Sequence, residues 1–232
     1  MSETTYVLIH GAWGGAWCWR HVGAELTRRG VAWTALDLPS STRGARPTTY
    51  LADDAREVVD VARLDGPVVL VGHSYGGAVI AEAAAEIPYL VGLVYVAALV
   101  PALGESASEA ARLVGSRTLL DGAIEVDGEL LRLNPARARD ALYQDCDDEM
   151  ASWAVSQLST QTVASLRSPR SAFDVDIHSR YLLCTLDNAI DPAVQEVMAE
   201  RCSQVVRLES GHTPLLSQPR ALCDLLVNGA FR

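Results

Sequence analysis

Positive charge is what this sequence has least of. Its 19 basic residues, all arginines, are outnumbered by 29 acids, for a formal net charge of −10. The arginines are scattered among the acids. A nucleic-acid role needs clustered cations against phosphate, so that class is excluded. Docking on an anionic membrane is disfavoured on the same ground. The opening Met1-Ser-Glu-Thr-Thr has neither a basic segment nor a cleavable apolar one, and no secretory signal is read there. The longest apolar stretch, roughly Gly76 to Leu103, is broken by Glu82, Glu86 and Pro88, which a membrane-spanning helix would not carry. Low-complexity segments are absent and 49% of the residues are apolar, which sets disorder aside. The five cysteines (Cys18, Cys146, Cys184, Cys202, Cys223) are odd in number and show no CxxC or Cys/His spacing. No metal is expected, and free thiols in a reducing cytoplasm are.

Alternation of strand and helix patterns is what the chain does have. Short β-rich runs are read at Thr4–His10, Val31–Leu36, Pro67–Val71 and Leu90–Ala97. Helical spacing separates them at Trp17–Arg29, Leu51–Leu64 and Tyr75–Glu86. Strands apolar on both faces, alternating with helices, predict a parallel sheet with crossover helices, hence an α/β fold. From Leu103 to Asp176 the alternation stops. That stretch is more polar and reads as mostly helical, at Glu105–Gly115, Pro135–Tyr143 and Asp147–Leu158, with a short hairpin at Ile124–Leu133 turning at Asp127-Gly128. Alternation then resumes: a strand at Arg180–Leu186, a helix near Ala193–Arg201, a strand at Gln204–Leu208 and a final helix at Leu215–Val227. One sheet interrupted once predicts a core of residues 1–102 and 177–232 carrying an insertion at 103–176. The acidic run Asp145, Asp147, Asp148, Glu149 reads as the cap and solvated start of a helix rather than a metal site.

At the third strand's end stands Gly72-His-Ser-Tyr-Gly-Gly77. Strand, Gly-x-Ser-x-Gly, helix is a nucleophile elbow. The turn is so sharp that a Cβ at Gly72 or Gly76 would collide across it, and it lifts the Ser74 hydroxyl above the carboxyl edge of the sheet. With no GxGxxG and no GK[ST], a phosphate loop is set aside. A nucleophilic serine needs a base, and the base needs an orienting acid. Among five histidines, His10 and His73 flank strand-end glycines and read as structural; His21 and His178 read as surface or packing residues. His212 lies on a loop before the last helix, and Asp187 ends a late strand, with Asp191 its near rival. The order Ser74, Asp187, His212 is that of an α/β-hydrolase triad. Oxyanion donors are expected from the amides of Tyr75 and, in the glycine-rich loop after the first strand, Ala12. Trp13, Trp17 and Tyr75 are placed at the mouth and Trp153 on the insertion, with packing equally open for each.

His10-Gly-Ala-Trp-Gly-Gly-Ala-Trp-Cys-Trp19, Asp37-Leu-Pro39, Gly72-His-Ser-Tyr-Gly-Gly77, Tyr181-Leu-Leu-Cys-Thr-Leu-Asp187 with Ile190, and Gly211-His212 together carry a resemblance. The chain resembles the plant methylesterase and hydroxynitrile lyase family of α/β-hydrolases and its bacterial esterase relatives, over nearly the whole core. The insertion matches only in position and helical character. The resemblance implies an α/β-hydrolase fold of about six strands, helices on both faces, and no N-terminal antiparallel hairpin. It also implies a helical cap, catalysis without a cofactor, and small ester substrates with an apolar or aromatic part.

The expected activity is that of a cytoplasmic serine esterase whose only required partner is its small-molecule substrate; a homodimer stays open as the assembly. Lactone, thioester and carbamate hydrolysis stay open too. Two rivals differ in class: carbon–carbon cleavage, as in a hydroxynitrile lyase, and a non-catalytic small-molecule binder. In the lyase branch that this chain resembles, a threonine follows the first motif's His-Gly and a lysine follows the catalytic histidine. Here those positions hold Ala12 and Thr213, which offer no extra hydroxyl beside the first motif and no charge for a departing anion.

Overall fold

Six strands carry the core. They are β1 (Thr5–Ile9), β2 (Ala32–Leu36), β3 (Val68–His73), β4 (Leu90–Val96), β8 (Ser179–Cys184) and β9 (Gln204–Leu208), in the spatial order β2-β1-β3-β4-β8-β9. The computed structural model describes residues 4–63 and 66–228. All five pairings in this sheet are parallel, so each needs a crossover. Four of the five connections between successive strands are helices, α1 (Arg20–Arg28), α2 (Leu51–Ala62), α3 (Gly76–Ala83) and α9 (Pro192–Ala199), and the fifth, from β4 to β8, is a longer inserted segment.

Two-residue periodicity sends alternate side chains to opposite faces. Val7, Ile9, Leu70 and Tyr95 join one apolar layer with α2, α3 and α9. Tyr6, Leu8, Val69, Val71 and Val94 join the other, under α1 and the last helix, α11 (Pro219–Val227). Register aligns the strand ends: Ile9 lies opposite Gly72, and His73 opposite Val96. The loops after β1, β3 and β4 therefore leave at one carboxyl edge, where open α/β sheets place their ligand sites.

Between β4 and β8 the chain leaves the sheet. It forms α4 (Ala107–Ala110), α5 (Leu119–Ala123), β5 (Ile124–Asp127), β6 (Leu130–Leu133), α6 (Pro135–Leu142), α7 (Asp148–Gln157), β7 (Gln161–Thr162) and α8 (Val163–Arg167). An apolar cluster of its own, including Leu133, Ala138, Leu142 and Ala154, takes in Trp13 from the loop after β1.

Three expectations are amended here. The hairpin expected at Ile124–Leu133 belongs to a larger sheet: β7 joins β5 and β6 to make three antiparallel strands, and the polar β7 carries no apolar alternation to announce it. The helix expected over Glu105–Gly115 is a single turn, because Leu113 and Val114 stay exposed and no apolar face is buried to sustain more. The helix expected over Leu215–Val227 is two pieces, α10 (Pro214–Ser217) and α11, since Pro219 supplies no N–H to continue the first. Of the helix expected over Leu51–Leu64, Leu64 lies outside the described residues. All five cysteines are unpaired. No described helix is long and apolar enough to cross a membrane.

Candidate active site

From Val68 to Ala81 every residue is buried except Ser74, which is partly exposed. Its backbone sits at φ +55°, a left-handed conformation rarely adopted outside glycine. The surroundings hold it there. The Ser74 amide donates to the Val96 carbonyl (3.2 Å), and its own carbonyl accepts from the amides of Gly77 (3.1 Å) and Leu99 (3.0 Å). A Cβ on Gly72 would stand 2.5 Å from the Gly76 carbonyl oxygen, and one on Gly76 2.6 Å from that of His10. The glycines two residues either side are steric necessities of this turn.

Beneath the turn lie two buried histidines. Burial pushes the pKa of both down, that of His73 the further, so both rings are neutral. His73 donates from Nε2 to the His212 carbonyl (2.9 Å). His10 donates from Nδ1 to the Gly11 carbonyl (2.7 Å) and accepts at Nε2 from the Leu38 amide (3.0 Å), fixing its tautomer. These bonds tie both rings to the backbone, His10 to the loops after β1 and β2 and His73 to the loop that bears His212.

His212, 2% exposed, donates from Nδ1 to Asp187 Oδ2 at 2.7 Å. Asp187 is itself held: Oδ1 accepts from the amides of Ala189 (2.7 Å) and Ile190 (3.0 Å), and Oδ2 also accepts from Gln195 Nε2 (2.8 Å). Asp191, the rival, instead caps α9 through the Ala193 amide (2.8 Å). Ser74 and His212 line one small cavity together with Gly11, Ala12 and Trp13. Gly11 is pressed so close that a Cβ there would lie 2.8 Å from Ser74 Cβ. Among the described residues the amides of Ala12 and Tyr75 have no acceptor.

A larger cavity of about 640 Å³ opens beside Ser74. Its lining is mixed: Ala12, Leu99, Leu120 and Ile190 are apolar, while Arg112, Arg117, Thr118 and Asp121 of the inserted segment are polar or charged. Trp13 lines both cavities. Trp17 and Trp153 line neither. They meet edge to face with ring centroids 5.3 Å apart, and the Arg20 guanidinium covers the Trp153 ring at 4.4 Å. They join the core to the inserted segment instead.

A family profile described as the alpha/beta hydrolase family matches residues 6–225. The chain belongs to the α/β-hydrolase family. It is 28% identical to the alpha/beta hydrolase nvfD of Aspergillus novofumigatus, over 99% of this chain and 98% of that one. Methylesterase 18 of Arabidopsis thaliana is also 28% identical, with the same coverage of 99% and 98%. Among solved structures, a pyrethroid hydrolase from Sphingobium faniae JZ-2 superposes with a TM-score of 0.85 at 28% identity, over 97% of this chain and 96% of that one.

Two supports of this α/β-hydrolase site were not foreseen. The acidic run at 145–149 was expected to cap and solvate a helix start, and Asp147 does so through the Met150 amide (2.7 Å). Asp145 Oδ2 accepts instead from the Gly211 amide (2.7 Å), Ser210 Oγ (2.9 Å) and Ser217 Oγ (2.9 Å), clasping the loop that bears His212. Thr213 Oγ1 reaches back to the Leu142 carbonyl (2.7 Å). The second support is Asp54, fully buried on α2. It accepts from Tyr75 Oη (2.6 Å), Ser40 Oγ (2.5 Å) and the Ser40 amide (2.9 Å). Burial pushes its pKa up to about 6 against the pull of those hydrogen bonds. No local pattern marks either residue: each acts on a partner brought near only by the fold.

Proposed function

We propose that this protein is a serine hydrolase that cleaves small carboxylic esters with an apolar or aromatic part. The observation that carries the reading is the 2.7 Å hydrogen bond from His212 Nδ1 to Asp187, on a histidine that shares a cavity with the strained, partly exposed Ser74.

With Nδ1 donating to Asp187, Nε2 of neutral His212 is the free basic nitrogen. It takes the Ser74 proton as Oγ attacks the acyl carbonyl, and the resulting imidazolium is stabilised by Asp187. The unused amides of Ala12 and Tyr75 hold the oxyanion; one such donor is typically worth about 3–4 kcal/mol of barrier. Protonated His212 then releases the alcohol. A water activated by His212 hydrolyses the acyl-enzyme.

Hydrolase and methylesterase relatives support ester cleavage. The apolar side of the larger cavity, formed by Ala12, Leu99, Leu120 and Ile190, supports an apolar or aromatic substrate part, and the inserted segment, which helps to line that cavity, acts as the cap. Unpaired, mostly buried cysteines support a reducing compartment. Thr213 commits its hydroxyl to Leu142 and the chain has no lysine, which favours hydrolysis over cyanohydrin cleavage. A panel of short-chain and aryl esters tests this. Turnover of at least one aryl ester, lost in Ser74→Ala, is expected; a panel without Ser74-dependent turnover overturns the reading.

A further inference from the structure

Gln161 joins the two arms of the oxyanion hole. It lies on β7 of the inserted segment and is fully buried. Its Nε2 donates to Ser40 Oγ (2.9 Å) and Ser165 Oγ (2.6 Å). Because Ser40 Oγ receives that hydrogen, its own proton goes to Asp54 Oδ2, which also accepts from Tyr75 Oη. This route ends at the side chain of the residue whose amide forms one arm. The other face of Gln161 serves the second arm. Its Oε1 accepts from Ser41 Oγ and from the Trp13 amide (3.4 Å), one residue beyond Ala12.

Trp13 needs such holding. Its φ of +61° is a strained conformation for a large side chain and persists only where neighbours over-determine it. Among the described residues, every hydrogen-bond partner of Trp13 lies on the inserted segment. The Trp13 carbonyl accepts from the Ser159 amide (2.9 Å), and its indole donates to the Leu131 carbonyl (3.1 Å). Ser40, Ser41, Asp54, Thr162 and Ser165 are all buried with Gln161, so no water replaces a lost partner cheaply.

We propose that Gln161 is a positioning residue for the oxyanion hole. Through Ser40–Asp54–Tyr75 on one side and Trp13 on the other, it makes the geometry of both amides depend on how the inserted segment is seated. The inference rests on the serine-hydrolase reading above. Its consequence is that the segment contributes to the chemical step and not only to the walls of the cavity.

The test compares Gln161→Met, which keeps the length and removes the hydrogen bonds, with Tyr75→Phe, which keeps the amide and cuts the link to Asp54. Both are assayed on an aryl ester for kcat and KM, and against an aryl trifluoromethyl ketone, whose serine adduct carries an oxyanion. Small misplacements of a preorganised site lower rates by up to about a hundredfold. The expectation is a ten- to hundredfold fall in kcat, KM within about threefold, and a parallel rise in the ketone's inhibition constant. The double variant should lose less than the product of the two single losses, since both cut one network. Tyr6→Phe is the control for stability alone: it removes a hydrogen bond to Leu226 on the opposite face of the sheet and should leave kcat unchanged. Losses confined to KM, multiplicative losses, or an unchanged inhibition constant overturn the proposal. If Gln161→Met does not fold, Ser40→Ala, which cuts the link from Gln161 to Asp54 and leaves Gln161 in place, is read in its stead with the same expectations. Failure of the serine-hydrolase reading is separate, appearing as Ser74→Ala retaining activity.

Discussion

His212 and Asp187 are joined by a 2.7 Å hydrogen bond, and the carboxylate has three further donors fixing its orientation: the amides of Ala189 and Ile190 and the side chain of Gln195. A carboxylate so held admits one imidazole tautomer, with the proton on Nδ1. Asp187→Asn presents an N–H where an acceptor is needed, and should lower kcat by about 10³–10⁴-fold with little change in KM. Asp191→Asn removes only a helix cap and should leave kcat within about twofold. Steady-state rates on one aryl ester decide it; a larger loss for Asp191→Asn contradicts the assignment.

Asp54 makes stability depend on pH in an unusual direction. Its pKa is raised from 3.8 to about 6 by burial, so folding favours the protonated acid. Its contribution is fully present below about pH 4 and is lost as pH rises through about 6. Asp53, the neighbouring carboxylate, pushes the same way, while Ser40 and Tyr75 oppose it. Two pKa units correspond to about 3 kcal/mol. His10 and His73, with lowered pKa values, act in the opposite sense, so the test is a difference. Urea unfolding of the wild type and of Asp54→Asn should show the wild type losing about 3 kcal/mol relative to the variant between pH 4 and pH 7. A constant difference across that range contradicts it.

Chemistry at positions 12 and 213 predicts the reaction class. Ala12 brings no hydroxyl beside Ser74, and Thr213, which spends its hydroxyl on the Leu142 carbonyl, brings no positive charge for a departing cyanide. Mandelonitrile should therefore release no cyanide above background, while aryl esters turn over. Cyanide release matching the best ester rate contradicts the assignment.

Legibility in the sequence followed the range of the interactions. The strands were legible because β-branched runs such as Val68–Val71 bury both faces, and Ser74 stood out because Gly72 and Gly76 answer a steric demand within five residues. Asp187 and His212, which the structure joins by a hydrogen bond, were proposed from their order along the chain, after successive late strands. Gln161, Asp54 and Asp145 were not, because each meets its partners across long stretches of sequence: Gln161 and Ser40 are 121 residues apart. Trp17 and Trp153 were placed near the cavity on residue type alone, yet they pack against each other. Length of helix also escaped: the Glu105–Gly115 spacing is helical, but nothing covers Leu113 and Val114.

Ser74→Ala bears most directly on the central claim, assayed beside the wild type on the best aryl ester, with circular dichroism to confirm that the fold is kept. Ser74 Oγ makes no hydrogen bond within the described residues, so the variant should fold normally. Its kcat is predicted to fall by several orders of magnitude, and acyl transfer from the ester to the protein, seen by intact mass, should vanish with it. Retention of more than about a tenth of the wild-type rate would contradict nucleophilic catalysis by Ser74.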